Sequence, residues 1–502
     1  MNLLTLLEMV SGGYDDRIAV GSQSDGMTYA QLRAAAARGG KMIEDSGAKS
    51  VIFCGENGPS FPIALFAAGF AKVQFLPLNY RLAEEYIHKA ILGMPAPYIV
   101  TDNPSIVPEG SAQVVMSFDQ WIAETGVGEV PVFAGEPDPE DIAILLQTSG
   151  TTSAPKSAVL RHKHLVAYVL GSVDFASAEP ADAMVVSVPP YHIAAVANLL
   201  SNLYAGRRVV YLDRFTPTIW LDTVEREGVT NAMLVPTMLS RIVEHMEDTG
   251  RQAPPTLRSL SYGGARIAQA TLERALGLFP NVGFVNAYGL TETSSSVAVF
   301  GPDDHRESFI STDPEVRARL GSVGKVLPNV NMQIRDAEGH VLTLGEPGAI
   351  WVSGEQVSGE YLESGKVVDD EGWFNTRDRG WLDAGGFLFI EGRTDDTIIR
   401  GGENIAPAEI EEVIHRHPAV LECAVAGVPD DEWGQRIAAF VVLREGMTAT
   451  EEDIKDFCRE KLRSSKTPDY VRLRHELLPQ TATGKLLRRN LVTEFALHSE
   501  EN

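Results

Sequence analysis

A helix-to-strand unit that occurs twice sets the fold class of this chain. Over Phe61–Leu78 an alanine-rich helix ends near Gly69 and gives way to the strand VQFLPL; over Asn198–Leu212 a second helix ends at Gly206 before RRVVYL. Glycine closing a helix is C-cap chemistry. Such units stack helices on largely parallel sheets, so the sequence predicts two α/β layers, which need not be an internal duplication. TNAMLV, LRSLSY and VGFVNAY continue the pattern as short strands between helical stretches. After Pro347-Gly348 the texture changes to short β runs such as WVSGE and GFLFIEGR, predicting a small β-barrel-like section. Beyond Arg393 the order reads helix, strand, strand, helix, strand, helix, enough for a compact α+β module with its own core. The expected division is therefore 1–394 and 395–502, joined at Asp395.

Ligands of open α/β sheets sit beyond the carboxyl ends of strands. YGGAR (262–266) and YGLTET (288–293) lie at such ends. The richest segment follows the apolar strand DIAILL (141–146) and runs Gln147-Thr148-Ser149-Gly150-Thr151-Thr152-Ser153-Ala154-Pro155-Lys156. Glycine, hydroxyls and backbone N–H groups in such a loop turn toward an anion, and the lysine adds a point charge. It is not the Walker pattern, whose lysine opens directly into a helix. A Ser/Thr-rich surface turn is the bland reading of the loop taken alone.

Composition narrows the classes further. The chain has 502 residues, 44% of them hydrophobic, so it can bury large cores in more than one domain. Its net charge of −25 argues against nucleic acid and against anionic membrane surfaces as partners. No stretch approaches the roughly 18 apolar residues of a membrane span. The beginning MNLLTLLEMVSGGYDD reads as a first helix rather than a signal. Cys54, Cys423 and Cys458 are scattered without metal-ligand spacing, as expected of core thiols in a reducing cytoplasm.

Three segments in order carry a resemblance: the loop ending at Lys156, then Asn286-Ala287-Tyr288-Gly289-Leu290-Thr291-Glu292-Thr293, then Gly392-Arg393-Thr394-Asp395-Asp396 with Ile398-Ile399-Arg400-Gly401-Gly402-Glu403-Asn404-Ile405. Together they resemble the adenylate-forming superfamily of acyl-CoA synthetases, peptide-synthetase adenylation domains and luciferases, from about Met27 to Lys485. The resemblance implies two half-reactions. A carboxylic acid attacks the α-phosphate of ATP, giving acyl-adenylate and pyrophosphate; a thiol, coenzyme A, then displaces AMP.

The resemblance also implies roles. Thr148, Ser149, Gly150, Thr151, Thr152 and Lys156 would surround the β- and γ-phosphates, and Glu292, beside Thr291, would hold Mg²⁺. Tyr288 would pack on adenine, with Gly289 beside it in the ATP/AMP-binding set, Gly263-Gly264-Ala265 would admit base and acyl group, and Asp378 with Arg393 would hold the ribose. Lys485 would stabilise charge at the α-phosphate. Asp395 matches the hinge about which the small domain swings, and Arg400, Gly401, Gly402 and Glu403 would form the thiolation face. His192 would flank the tunnels, unless it is a satisfied structural histidine. Tyr191, Ala194, Ala195, Asn198, Met233 and Met238 outline a roomy, apolar acyl pocket, suited to a medium or long chain or a bulky ring.

Four departures from the family pattern lie on the ATP side: Ser153 and Ser157 stand for glycines, Gln147 for a common aromatic, and Arg377 for the glycine of T-G-D. They leave open a thiolation-only ligase fed by a partner adenylating enzyme, besides the two-step ligase. Loading of a carrier protein and a turnover-free nucleotide-binding regulator are the remaining readings. Lys455–Arg489 carries ten basic and four acidic residues, either a docking strip for CoA phosphates or a solvated amphipathic face. The family includes monomers and dimers, so a homodimer stays open.

Overall fold

The computed structural model describes residues 1–148, 156–212, 214–400, 403–430, 433–480 and 486–499. The two helix–strand units land in different sheets. The strand Gln74–Leu78 belongs to an eight-stranded sheet whose neighbours Ser50–Cys54, Pro97–Thr101, Val114–Ser117 and Ile142–Thr148 run parallel. Arg208–Tyr211 belongs to a nine-stranded sheet, parallel from Ile18–Val20 through Ala183–Val186, Asn231–Leu234 and Ser259–Gly263 to Gly283–Leu290. Antiparallel strands finish both edges of that sheet.

The two sheets share one apolar core, which takes Phe53 and Ile144 from one and Met184 and Val209 from the other. The helix Ser60–Phe70 is buried along its whole length, as a sequence apolar all round requires. It ends at Phe70, one residue past Gly69, but Gly69 is not its cap. Gly69 is a contact glycine against Leu4, and the helix closes at Lys72, left-handed at φ 56°, with Val73 N–H donating to Ala68 O at 3.0 Å. Gly206, by contrast, does take the left-handed cap conformation, at φ 80°.

The third section begins at Asn331, earlier than the texture change at Pro347. Four antiparallel strands, Asn331–Arg335, Gly348–Ser353, Phe374–Leu382 and Leu388–Arg393, form its sheet. Between them the short strand Glu360–Tyr361 crosses to the eight-stranded sheet and sets Tyr361 opposite Ala158. Arg161 anchors that crossing on Glu360 at 2.8 Å.

The C-terminal module opens with a hairpin, Ile398–Arg400 and Glu403–Ile405, whose three-residue strands are too short to show alternation in sequence. Helix Pro407–His415, strands Val420–Asp430 and Gly434–Leu443, helix Glu451–Arg459, strand Tyr470–Arg474 and helix Arg488–Ser499 then follow the expected order. It meets the large domain through the ion pairs Arg266–Glu412 at 3.5 Å and Arg444–Glu244 at 3.4 Å. Pairs this open to water contribute little each. No helix among the described residues is long and apolar enough to cross a membrane.

Burial sets an acid limit on the large domain. His162, His164, His192 and His305 are each pushed down to about 4, chiefly by desolvation. His305 shows the geometry: Nδ1 can only donate to the Gly301 carbonyl, at 2.8 Å, so Nε2 accepts from the Tyr262 hydroxyl, also at 2.8 Å. The folded state binds these protons less readily than the unfolded chain. Their stabilising contribution is therefore complete above pH 6.5 and is lost as pH falls toward 4, at up to about 1.4 kcal/mol per pH unit per histidine. Denaturant midpoints measured across this window should fall accordingly as pH is lowered. His305→Asn should lower stability at pH 7.5 yet give a shallower acid slope; an unchanged slope would remove His305 from the account.

Candidate active site

A cavity of about 840 Å³ lies where the strand ends of both large sheets meet the third section and the start of the C-terminal module. One end of it gathers charge. Thr148 and Lys156 pair at the close of the antiparallel strands 142–148 and 156–161, and both line the wall. Glu292, in the turn Thr291–Thr293, is 7% exposed and also lines it. Tyr361 joins them. Its hydroxyl donates to Glu292 Oε1 at 2.5 Å, and Lys156 Nζ sits 5.3 Å from its ring centre. Burial and then the Glu292 charge push the Tyr361 phenol far up, so it stays protonated and donates. Arg377, Arg393, Asp395 and Asp396 complete this end. Among the described residues no cluster of three acidic, histidine or cysteine side chains could enclose a metal. A single buried carboxylate fits Mg²⁺ arriving with phosphates and water, the usual arrangement for that hard cation.

The Gly263-Gly264 pair works by two different constraints. A Cβ at Gly263 would meet the Ala287 carbonyl oxygen at 2.4 Å, so the close approach it permits is to the next strand. Gly264 is left-handed at φ 83° and faces open space on the wall. Ala265 is not on the wall. Strand alternation turns Val285, Ala287 and Gly289 into the cavity and Tyr288 the other way, against the core of the third section. The expected placement of the Tyr288 ring on the ligand therefore differs from its position here. Its hydroxyl donates to Asp378 Oδ2 at 2.6 Å, while Arg393 Nε approaches Asp378 Oδ1 at 3.0 Å. Asp378 lies behind the wall formed by Thr376, Arg377 and Arg393.

The other half of the cavity is shaped by the helix Ile193–Tyr204. Its inward stripe is Ala194, Ala197, Asn198, Ser201 and Asn202, at helical spacing. Met233 faces the stripe, with its sulfur 3.0 Å from the Asn198 amide nitrogen. Ala195 falls on the opposite face and is core; Met238 packs between two cores, and Tyr191 packs edge-on to Tyr80. Those three are not on the wall. The stripe runs from alanine to amide and hydroxyl, so the pocket is less apolar than its alanines and methionines imply. Asn202 accepts from Arg207 at 2.6 Å and donates to Asn198 O at 2.8 Å. His192 stands at the start of this helix on the wall, held neutral by burial, and its Nε2 has no partner among the described residues.

Arg400 and Glu403 lie on the hairpin of the C-terminal module and are not part of this wall. Arg400 is fixed on Asp469 at 2.7 Å and on the Ser465 carbonyl at 2.9 Å. The basic strip is largely neutralised: Arg459, Lys461, Lys466, Arg472, Arg474 and Arg488 all pair with acids. Ser149, Gly150, Thr151, Thr152, Ser153, Gly401, Gly402 and Lys485 lie outside the described residues. Of the departures, Ser157 sits in an extended strand, its N–H donating to Glu363 at 3.0 Å, so its Cβ costs nothing there. Gln147 lines the cavity with Oε1 unpartnered among the described residues. Tyr361, Ser201 and Asn202 escaped sequence reasoning. Tyr361 reaches the site only through the crossing strand, whereas the i, i+3, i+4 spacing from Ala194 could have found the other two.

Comparison with known proteins matches residues 7–362 to the family described as AMP-binding enzyme and residues 409–485 to its C-terminal domain. A feruloyl-CoA synthase of an Amycolatopsis species is 31% identical over 484 residues, covering 93% of this chain and 94% of that protein. A 2-succinylbenzoate–CoA ligase of Bacillus cytotoxicus is 30% identical, covering 95% of each. Among solved structures, the o-succinylbenzoate CoA synthetase of Bacillus subtilis with its acyl-adenylate intermediate superposes with a TM-score of 0.83 at 27% identity, over 97% of each chain.

Proposed function

Since the chain belongs to the AMP-binding enzyme family, we propose that it is an ATP-dependent, AMP-forming acid–CoA ligase that completes both half-reactions. The observation that carries this reading is one continuous cavity joining the charged end at Lys156, Glu292 and Arg393 to the stripe of helix 193–204. In the first half-reaction a carboxylate oxygen bonds to the α-phosphorus as its bond to pyrophosphate breaks. Glu292 would hold Mg²⁺, which offsets phosphate charge as pyrophosphate leaves, and Lys156 and the loop hydroxyls would steady the β- and γ-phosphates. Arg393 and Asp378, tied to Tyr288 and to each other, would fix the ribose. Lys485 would meet the α-phosphate. In the second half-reaction the thiol adds to the acyl carbon and AMP departs, with Asp395 as the pivot that brings the 400–403 hairpin to the site. The weak Arg266–Glu412 and Arg444–Glu244 pairs suit a module that moves, and 1–394 and 395–502 are its proposed limits. Three buried thiols suit a cytoplasmic setting.

The two-step ligase is preferred to a thiolation-only one because Ser157 sits in an extended strand, where a Cβ carries no backbone penalty. The ion-paired strip gives no preference for CoA phosphates or for an acidic carrier. The stripe narrows the acid: a bulky carboxylic acid bearing a hydroxyl, carbonyl or second carboxyl at the end remote from the reacting group. The test is acid-dependent ATP–pyrophosphate exchange beside CoA-thioester formation. Bulky aryl and polycyclic acids are compared pairwise, with and without a distal polar group. The polar member of each pair should lead in kcat/KM by about tenfold, the cost of leaving the buried Ser201 hydroxyl, which has no partner among the described residues, unpaired. A preference for the unsubstituted acids would overturn the substrate class; thioester formation from synthetic acyl-adenylates without exchange would overturn the two-step reading.

A further inference from the structure

Arg377 occupies a backbone position that favours glycine. It is left-handed at φ 61°, in the strand Phe374–Leu382, where the ladder to Gly348–Ser353 is broken between Trp351–Asn375 and Ala349–Arg379. The bulge is held from both sides: Arg377 N–H donates to Asn375 Oδ1 at 2.8 Å, and Thr376 Oγ1 donates to the Ile350 carbonyl at 2.9 Å. Bulges re-aim side chains and recur beside active sites. A residue with a Cβ is disfavoured at such φ, and the strain persists only where something offsets it.

Hydrogen bonds to Asn375 and from Thr376 hold the backbone of the bulge, but no ion pair among the described residues holds the arginine side chain. Arg379 and Arg393, its neighbours, pair with Glu391 at 2.9 Å and Asp378 at 3.0 Å. Arg377 is exposed on the cavity wall, and no carboxylate among the described residues lies within ion-pair distance. Arg377 shares the wall of this cavity with Lys156, Glu292 and Arg393.

We propose that Arg377 is an added polyphosphate-binding residue, its guanidinium gripping the β- and γ-phosphates of ATP and then the departing pyrophosphate. This rests on the AMP-forming reading above. A planar guanidinium takes two phosphate oxygens at once, which a lysine at the same place cannot. The departure from glycine is then a gain of affinity at the expense of backbone comfort, not a lesion of the ATP side.

The test is Arg377→Gly and Arg377→Lys in the full chain, with titration of Mg-ATP and of pyrophosphate, half-reaction kinetics and thermal melts. Arg377→Gly should weaken both ligands about tenfold or more and raise KM for ATP. It should melt no lower than the wild type and leave CoA transfer from preformed acyl-adenylate unchanged; Arg377→Lys should fall between. Equal dissociation constants in wild type and Arg377→Gly would overturn the proposal, whether or not the protein turns over. A lower melting temperature with a uniform loss in both half-reactions would overturn it as a structural role, and a change confined to the KM for CoA would reassign the residue to the thiol. Absence of acid-dependent exchange in the wild type, with Mg-ATP still bound, would instead count against the two-step reading and leave the titration to decide Arg377.

Discussion

Glu292→Gln is expected to cut acid-dependent pyrophosphate exchange by about 10²-fold or more while leaving the fold in place, a loss of the size seen when one charge-stabilising group is removed. The substitution is nearly isosteric, and its amide oxygen can still accept from Tyr361, whose 2.5 Å bond to Glu292 Oε1 is a contact between the crossing strand and the turn 291–293. Melting temperature should therefore change little. What disappears is the negative charge that faces the cavity, and with it the protein's own hold on the cation. The wild type should saturate at lower Mg²⁺ than the variant, and added Mg²⁺ should restore part of the exchange. Near-wild-type exchange at low Mg²⁺ would show that the carboxylate serves only as Tyr361's partner.

Glu292 and Tyr361 differ in how far the sequence conveys them. Glu292 is legible because its turn directly follows the strand Gly283–Leu290, so motif and geometry are local. Tyr361 is not, because it comes from a two-residue strand that leaves the third section to pair beside Ala158, and no periodicity survives in two residues. The same holds for Lys72, where a left-handed lysine replaces the expected glycine, and for the hairpin 398–405. Layering and element order were legible because they depend on long periodic segments such as Ser60–Phe70 and Ile193–Tyr204. Within such segments facing is what a sequence conveys least: Ala195 and Tyr288 stand beside wall residues in sequence but turn from the wall by helical and strand alternation. Composition misled at the acyl pocket for a related reason. Alanines and methionines dominate these segments, while the amide and hydroxyl groups of Asn198, Ser201 and Asn202 set the character of its inner end.

Lys485→Ala is expected to divide the two half-reactions. A lysine that neutralises charge developing at the α-phosphate acts while the carboxylate attacks, and has no such charge to meet once the adenylate exists. Pyrophosphate exchange should fall about 10³-fold, and CoA-thioester formation from a synthetic acyl-adenylate should stay within about threefold of wild type. The contrast is informative because Asp395 and Asp396 line the cavity while the hairpin carrying Arg400 does not. In this arrangement the join of the C-terminal module reaches the site, but the face assigned to thiolation stays away. A module that must turn about the join to serve the thiol can lose one residue of its adenylating face without losing the other face. If Lys485→Ala forms thioester from free acid and ATP at the wild-type rate, the lysine has no part in adenylation. If it loses both half-reactions equally, the module acts as one rigid unit and the alternation about Asp395 falls.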